Sequence, residues 1–418
     1  MTRAVASLAA VIRDADWLTR ERTLAYGRIL FTITLATLVG WVAFSHGGLD
    51  PLGKPLGTDF LSFWAASRLA LGGHPALAYD LARHAGAERA AFGGAPLGYA
   101  AFFYPPLFLL VCLPLGLVPY LPALAAWLGA TGYACWRAIR AILGEARAGL
   151  VLPMLAFPGV FSTLGHGQNA FLTAALFGLG ALLLDRRPIL AGVCLGLLAF
   201  KPHLGLLIPI ALVAGGRWKT VAAATLTVLA FAALSALAFG AETWRAFLAV
   251  SPLARAALEQ DIVGPAKMTS AFAAVRLLHG GPALAYAAQA AFAGLAAVIV
   301  ALTARARAGG LAEGAVLAAA SLLASPFLLD YDLMILAVPM AWMVREAGRT
   351  GFLPWEKTVL FAAFVSPLVA RMLAARFGLP LEPLVVLALL LAAARRAGAF
   401  GPVRAGPAPV AAVALARG

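Results

Sequence analysis

Eight polar or ionisable side chains interrupt an otherwise apolar chain in a pattern that could do chemistry: Asp59, His166, Gln168, Asn169, Lys201, His203, Asp330 and Asp332. An ionisable group at membrane depth costs about 2.5–3.5 kcal/mol on insertion scales, so each one calls for a functional explanation. Asp59 heads the stretch "DFLSFWAASRLALGGHPALAYD" and admits two readings. It is either the N-cap of the helix that follows or a carboxylate able to take a proton as a general base. Lys201 lies between "LAGVCLGLLAF" and Pro202, where an ammonium would either bind a phosphate as a point charge or snorkel to lipid headgroups. His203 is its possible helper or an interfacial histidine.

The stretch "GHGQNAF", residues 165–171, supplies donors suited to a sugar or phosphate, with a helix cap at Asn169 as the rival reading. Its glycines do not match a dinucleotide fingerprint, which argues against a nucleotide cradle. Asp330-Tyr331-Asp332 and Asp14-Ala15-Asp16 both have an Asp-x-Asp form. Two carboxylates without a third partner make a poor divalent site, so no metal is expected. The 330–332 tip reads instead as a polar cap that contacts substrate at most.

These residues must be positioned by membrane helices. Of 418 residues, 62% are hydrophobic and 12% charged, and the mean hydropathy is +0.90, whereas soluble domains carry about a quarter charged residues. Apolar runs of about 12–24 residues suit helices, and the lack of period-two alternation excludes a β-barrel. The net charge of +14 is scattered in short groups between the runs, which marks topology and not a nucleic-acid surface. Cys112, Cys135 and Cys194 lack ligand spacing and read as packing residues. Gly192 and Gly196 form a small-residue packing face.

Residues 1–27 read as a cytoplasmic amphipathic segment, 28–397 as the transmembrane domain and 398–418 as a disordered cytoplasmic tail. The first span falls at about 28–45, followed by a long outer loop, 46–100, with interfacial helices. Phe60, Phe63, Trp64 and Leu71 would face lipid there. Residues 102–118 form a shallow element and 120–140 a crossing. Further spans fall at about 149–164, 168–184, 188–200, 203–214, 219–239, 282–304, 311–329, 333–345, 357–375 and 381–394, with a second outer loop at 240–281. This predicts an all-α bundle of about 12 spans with both termini and most basic residues cytoplasmic. All eight polar positions then fall on the outer side.

The segments "DFLSFWAASRLALGGHPALAYD", "FFYPPLFLLVCLPLGLVP", "GQNAFLTAALF", "RRPILAGVCLGLLAFKPHLGLLIPIALV" and "SPFLLDYDLMILAVP" resemble, in order, those of glycosyltransferase family 87, polyprenyl-phosphate-dependent hexosyltransferases of the GT-C class. The resemblance spans about residues 55–345. It implies a multi-pass enzyme of the cytoplasmic membrane with its active site on the periplasmic or exterior face. Its donor would be a polyprenyl-phosphate hexose, with mannose the expected sugar, and its acceptor a hydroxyl of a glycan or glycolipid. It also implies Asp59 as base and Lys201 as phosphate partner. His203 and His166 join Lys201 as phosphate-binding candidates. Gln168, Asn169, Tyr79, Asp80, Tyr104, Asp330 and Asp332 are the candidates for substrate contact. No cofactor is expected. A flippase or permease for a lipid-linked sugar or other anion is the alternative, since a transporter also gathers charges within a bundle.

Overall fold

The computed structural model describes residues 9–144 and 149–401; residues 1–8 and 402–418, which hold part of the expected N-terminal segment and most of the expected tail, lie outside the described residues. Every regular element among the described residues is helical, and extended pairing is confined to isolated bridges. Among the described residues, four helices are long and apolar enough to cross a membrane: Arg20–Ala43, Trp218–Glu259, Pro282–Arg305 and Glu356–Phe377. Four crossings, not twelve, thus meet that criterion of length and composition. Four of the other eight expected spans, 168–184, 188–200, 203–214 and 311–329, fall on shorter apolar helices.

Helix α1 (Arg20–Ala43) starts at Thr19, whose hydroxyl accepts a hydrogen bond from the Arg22 amide at 3.2 Å. Ile29, Ile33, Val39 and Val42 on α1 are each more than half exposed, a surface suited to lipid. Helix α2 (Phe60–Leu71) departs from the expectation of an interfacial helix with Phe60 and Phe63 in lipid. Both rings are at most 1% exposed, and Arg68 and Leu71 are the exposed residues of the helix. The cause is an aromatic cage of Tyr104, Phe108, Tyr120 and Trp127, whose ring centroids lie 5.0–6.2 Å from those of Phe60 or Phe63. Protein, not lipid, is the apolar phase that α2 meets.

Helix α3 (Leu81–Ala90) follows. The expected shallow element is two short pieces, Pro106–Cys112 and Leu113–Leu117, set off by prolines, and residues 120–140, expected to cross, lie on α4 (Tyr120–Leu143), which is not one of the four span-like helices. Tyr120, Leu124, Trp127, Thr131, Cys135, Ala138 and Ile142, three or four residues apart, form its buried stripe. Next come α5 (Pro158–His166), α6 (Ala170–Leu183), α7 (Pro188–Leu197) and α8 (Trp218–Glu259). Helix α6 packs on α4. Gly192 and Gly196 do let α7 meet α8 closely: a Cβ there would lie 2.6 Å from Thr220 O and 2.7 Å from Ala224 O. Helix α8 kinks at Gly240 and continues to Glu259, so much of the expected second outer loop is helical.

Helices α9 (Pro282–Arg305), α10 (Gly310–Ala324), α11 (Glu356–Phe377) and α12 (Glu382–Arg396) complete the bundle. Every residue of α10 except Leu311 is buried. Loops that the threading assigns to the basic side touch one another. Arg217 pairs with Asp185 at 2.6 Å and Glu313 at 2.8 Å, Arg345 donates to Ile142 O, and Arg396 pairs with Glu356. The polar residues of the other side also meet.

Candidate active site

Two glycines bring the first loop onto the end of α5. Gly57 and Gly167 have φ of +70° and +66°, and a Cβ on Gly167 would sit 2.6 Å from Phe60 Cβ and 3.1 Å from Gly57 Cα. Only glycine gives both the left-handed backbone and the close approach. The crossing is locked by the Asp59 amide donating to His166 O at 3.0 Å, Tyr120 OH donating to Leu56 O, and Trp127 Nε1 donating to Gly167 O.

Asp59 occupies the N-cap position of α2, but its side chain makes no capping hydrogen bond. The cap reading therefore fails. Its carboxylate accepts from Gln168 Nε2 at 2.8 Å and from Thr58 Oγ1 at 3.2 Å, and lies 3.6 Å from His166 Nδ1. Thr58 Oγ1 is also 3.0 Å from His166 Nδ1. A Thr58 hydroxyl that donates to Asp59 pairs with a protonated ring nitrogen, and one that donates to His166 pairs with a bare one. Asp59 and His166 remain 29% and 32% exposed, so both are open to a ligand.

Burial works to raise the Asp59 carboxyl, yet the hydrogen bond and charge of His166, with the Gln168 and Thr58 donors, outweigh it and hold the group below the ordinary carboxylate range. Burial also works to lower His166, but Asp59, and then Asp330, hold the imidazole above its usual value. Each group thus favours the charged form of the other. Gln168 Oε1 accepts from Tyr104 OH at 3.2 Å and from the Asn169 amide at 3.1 Å, so Tyr104 orients the amide that grips Asp59. Asn169 is fully buried and its side chain makes no cap hydrogen bond, which removes the cap reading there too.

A second cluster adjoins the first. Lys201 Nζ donates to Asp332 Oδ1 at 2.6 Å, with both side chains 3% exposed, and lies 5.4 Å from the centroid of the Tyr331 ring, which itself meets His166 at 5.7 Å. Asp332 also accepts from the Leu329 amide, capping its own turn. His203 is close enough to feel the charges of Lys201 and Asp332. Asp330 turns elsewhere, accepting from Ser162 Oγ at 3.3 Å and standing 3.7 Å from Arg371 Nη1. The two aspartates thus serve different partners, and among the described residues no three His, Cys, Asp or Glu side chains gather as metal ligands. Tyr79 is buried and donates to Tyr104 O, while Asp80 caps α3 through the Ala82 and Arg83 amides. Neither contacts Asp59 directly.

Sequence reasoning missed Thr58, Ser162, Tyr331 and Arg371. Arg371 is the single charge in the interior of the apolar run 357–375, beyond Lys357 at its start, and by the rule applied to Lys201 that isolation was the available signal. The Asp59 centre can accept a proton from a hydroxyl, and its neighbouring cations can hold an anion. A family model, Glycosyltransferase family 87, matches residues 102–326. That stretch includes His166, Gln168, Asn169 and Lys201 and leaves Asp59, Asp330, Asp332 and Arg371 outside it. No curated protein and no solved structure matches the chain.

Proposed function

The chain belongs to glycosyltransferase family 87, and we propose that it transfers a hexose, mannose by preference, from a polyprenyl-phosphate sugar to a hydroxyl of a glycan or glycolipid. On this reading the protein is a GT-C-type bundle of about 12 spans in the cytoplasmic membrane, with both termini cytoplasmic and Asp59 facing the exterior. The observation that carries the reading is Asp59 itself: an ionised carboxylate, partly open, held by Gln168 and Thr58 and doing no structural capping.

The chemistry follows from the donor. A phosphate ester of the anomeric carbon already has a good leaving group, so the protein need only position the acceptor, take its proton and stabilise the departing phosphate. The acceptor oxygen bonds to the anomeric carbon as the carbon–oxygen bond to phosphate breaks. The proton passes to Asp59, and polyprenyl phosphate leaves with the electron pair. Displacement from the opposite face inverts the anomeric centre, so a β-linked donor gives an α-glycoside. Asp59 is a weaker base for having its carboxyl held low, which suits a proton transfer that is late, after the hydroxyl has begun to bond. No resident cofactor or metal enters the scheme. Membership of a glycosyltransferase family supports this over a flippase or permease.

The test is transfer from radiolabelled polyprenyl-phosphate hexoses to a glycolipid extract by the purified protein, beside Asp59→Asn. Asn keeps one acceptor oxygen for Gln168 but cannot take the proton. Its rate should fall by about 10²–10⁴-fold. A folded Asp59→Asn protein that works at the wild-type rate refutes the assignment.

A further inference from the structure

The reaction requires a cation for the phosphate, and the expected one is occupied. Lys201 is buried and bound to Asp332 at 2.6 Å, so a phosphate could reach it only by displacing a buried carboxylate. Arg371 is placed differently. Its side chain is 49% exposed, its carboxylate neighbour Asp330 is at the looser distance of 3.7 Å, and its charge is felt at His166, the partner of Asp59. The planar fork thus has donors to offer a second anion.

Arg371 lines a pocket with Lys267, Thr269, Ser270, Asp330 and Glu382. The segment carrying Lys267 is tied to the turn carrying Asp330, because Met268 bridges Leu329 and the Thr269 amide donates to Leu328 O at 2.9 Å. Lys267 is exposed. Glu382 is only 2% exposed, and among the described residues neither carboxylate oxygen has a hydrogen-bond partner of normal geometry, although the Ser366 hydroxyl acts on it. Buried polar atoms are nearly always partnered, so an orphaned carboxyl lining a pocket indicates a place for a ligand hydroxyl. Beside Arg371 on α11, Leu368 and Met372 are 54% and 55% exposed. Arg371 therefore stands where an apolar, lipid-suited helix surface meets a polar pocket, which fits a ligand with an anionic head and a hydrocarbon tail better than a water-soluble nucleotide sugar.

Building on the donor class assigned above, we propose that the donor's head group docks at the mouth of this pocket, with one sugar hydroxyl entering its water-sized interior. Arg371 and Lys267 bind the phosphate, and Glu382 hydrogen-bonds a hydroxyl of the sugar. Lys201 then acts as a positioning residue that fixes the Asp332 wall.

The experiment measures binding of polyprenyl phosphate, the sugar-free product, to the full chain in detergent by tryptophan fluorescence, beside neutral polyprenol. Arg371→Gln should weaken polyprenyl phosphate by roughly 10- to 100-fold and leave polyprenol unchanged, with partial recovery in Arg371→Lys. Lys267→Gln should act in the same direction, less strongly. Glu382→Gln should weaken a polyprenyl-phosphate hexose but not the sugar-free lipid. Equal affinity of wild type and Arg371→Gln for polyprenyl phosphate overturns this site and leaves the donor class standing. Equal loss of phosphate and polyprenol overturns it by making Arg371 a plain lipid contact. A wild type that binds neither donor nor product overturns the donor class and this site together.

Discussion

Lys201 and Asp332 offer the sharpest test of how the site is built. Their 2.6 Å contact is buried on both sides, and Asp332 has one further donor, the Leu329 amide at 3.3 Å. Lys201→Met leaves a buried carboxylate with that single long hydrogen bond. Removing one member of such a pair costs about 3–5 kcal/mol, while replacing both by apolar groups is often neutral. Lys201→Met should therefore melt well below wild type, and Lys201→Met/Asp332→Leu should recover most of the loss, giving a coupling of several kcal/mol in a double-mutant cycle. Thermal unfolding in detergent reads the cycle. Additive effects, or a Lys201→Met protein as stable as wild type, would refute the buried-pair argument. The same double variant decides the role of Lys201 in binding. A donor KM within about twofold of wild type assigns Lys201 to the wall, whereas a rise of tenfold or more means that its ammonium meets the phosphate.

Three further outcomes are expected. Gln168→Leu removes the 2.8 Å donor to Asp59 and the acceptor of Tyr104, so the carboxyl should rise and the acid limb of kcat/KM move up by about one pH unit; an unmoved limb sinks the relay. Burial holds Glu88 at about 8 against an ordinary 4.5, and His84 at about 4 against 6.5. The folded state keeps the Glu88 proton that the unfolded chain loses from pH 4.5 to 8, so stability falls there by about 1.4 kcal/mol per unit. His84 has the opposite sign from 4 to 6.5, so the fall is bare only between 6.5 and 8. Glu88→Gln should gain on wild type across that window, and a gap constant with pH in melting experiments counts against it. Gly192→Val meets Thr220 O and Ala223 Cβ at 2.6 Å and should cost about 1–3 kcal/mol, read by melting; an unchanged melting temperature would show that α7 and α8 can separate freely.

The convergence of Asp59, His166 and Gln168 was legible because polar residues at the ends of apolar runs must share a side once the charge bias sets the threading. Their pairing was not. Lys201 meets Asp332 across 131 positions, and nothing in either local sequence names the other. The misplacement of α2 has a different cause. Phe60, Phe63, Trp64 and Leu71 recur at helical spacing, but periodicity reports an apolar neighbour without saying whether it is lipid or protein. Only the rings of residues 104–127, folded over the helix, decide for protein. Glu88 and His84 were equally hidden, since a short polar helix in a loop gives no sign that one turn of it is buried.

The family match and the site divide the chain in an informative way. Residues 102–326 contain the walls: the aromatic cage, the Gln168 amide and Lys201. Of the groups assigned to the reacting ends, Lys267 lies within that stretch, while Asp59 for the acceptor and Arg371 for the phosphate come from outside it. Each is joined to it by contacts that set position more than stability. Asp59 hangs on the His166 carbonyl of α5 through its own amide, and Arg371 reaches the same helix through Asp330, which accepts from Ser162 Oγ. Helix α5 is thus a common reference for base and cation. A small shift of α5 would move both together and preserve their relation, whereas a shift of α2 or α11 alone would separate them. Because in-line displacement tolerates little error in that relation, substitutions at the Gly57–Gly167 crossing should damage turnover more than substitutions of equal bulk on the outward face of α1.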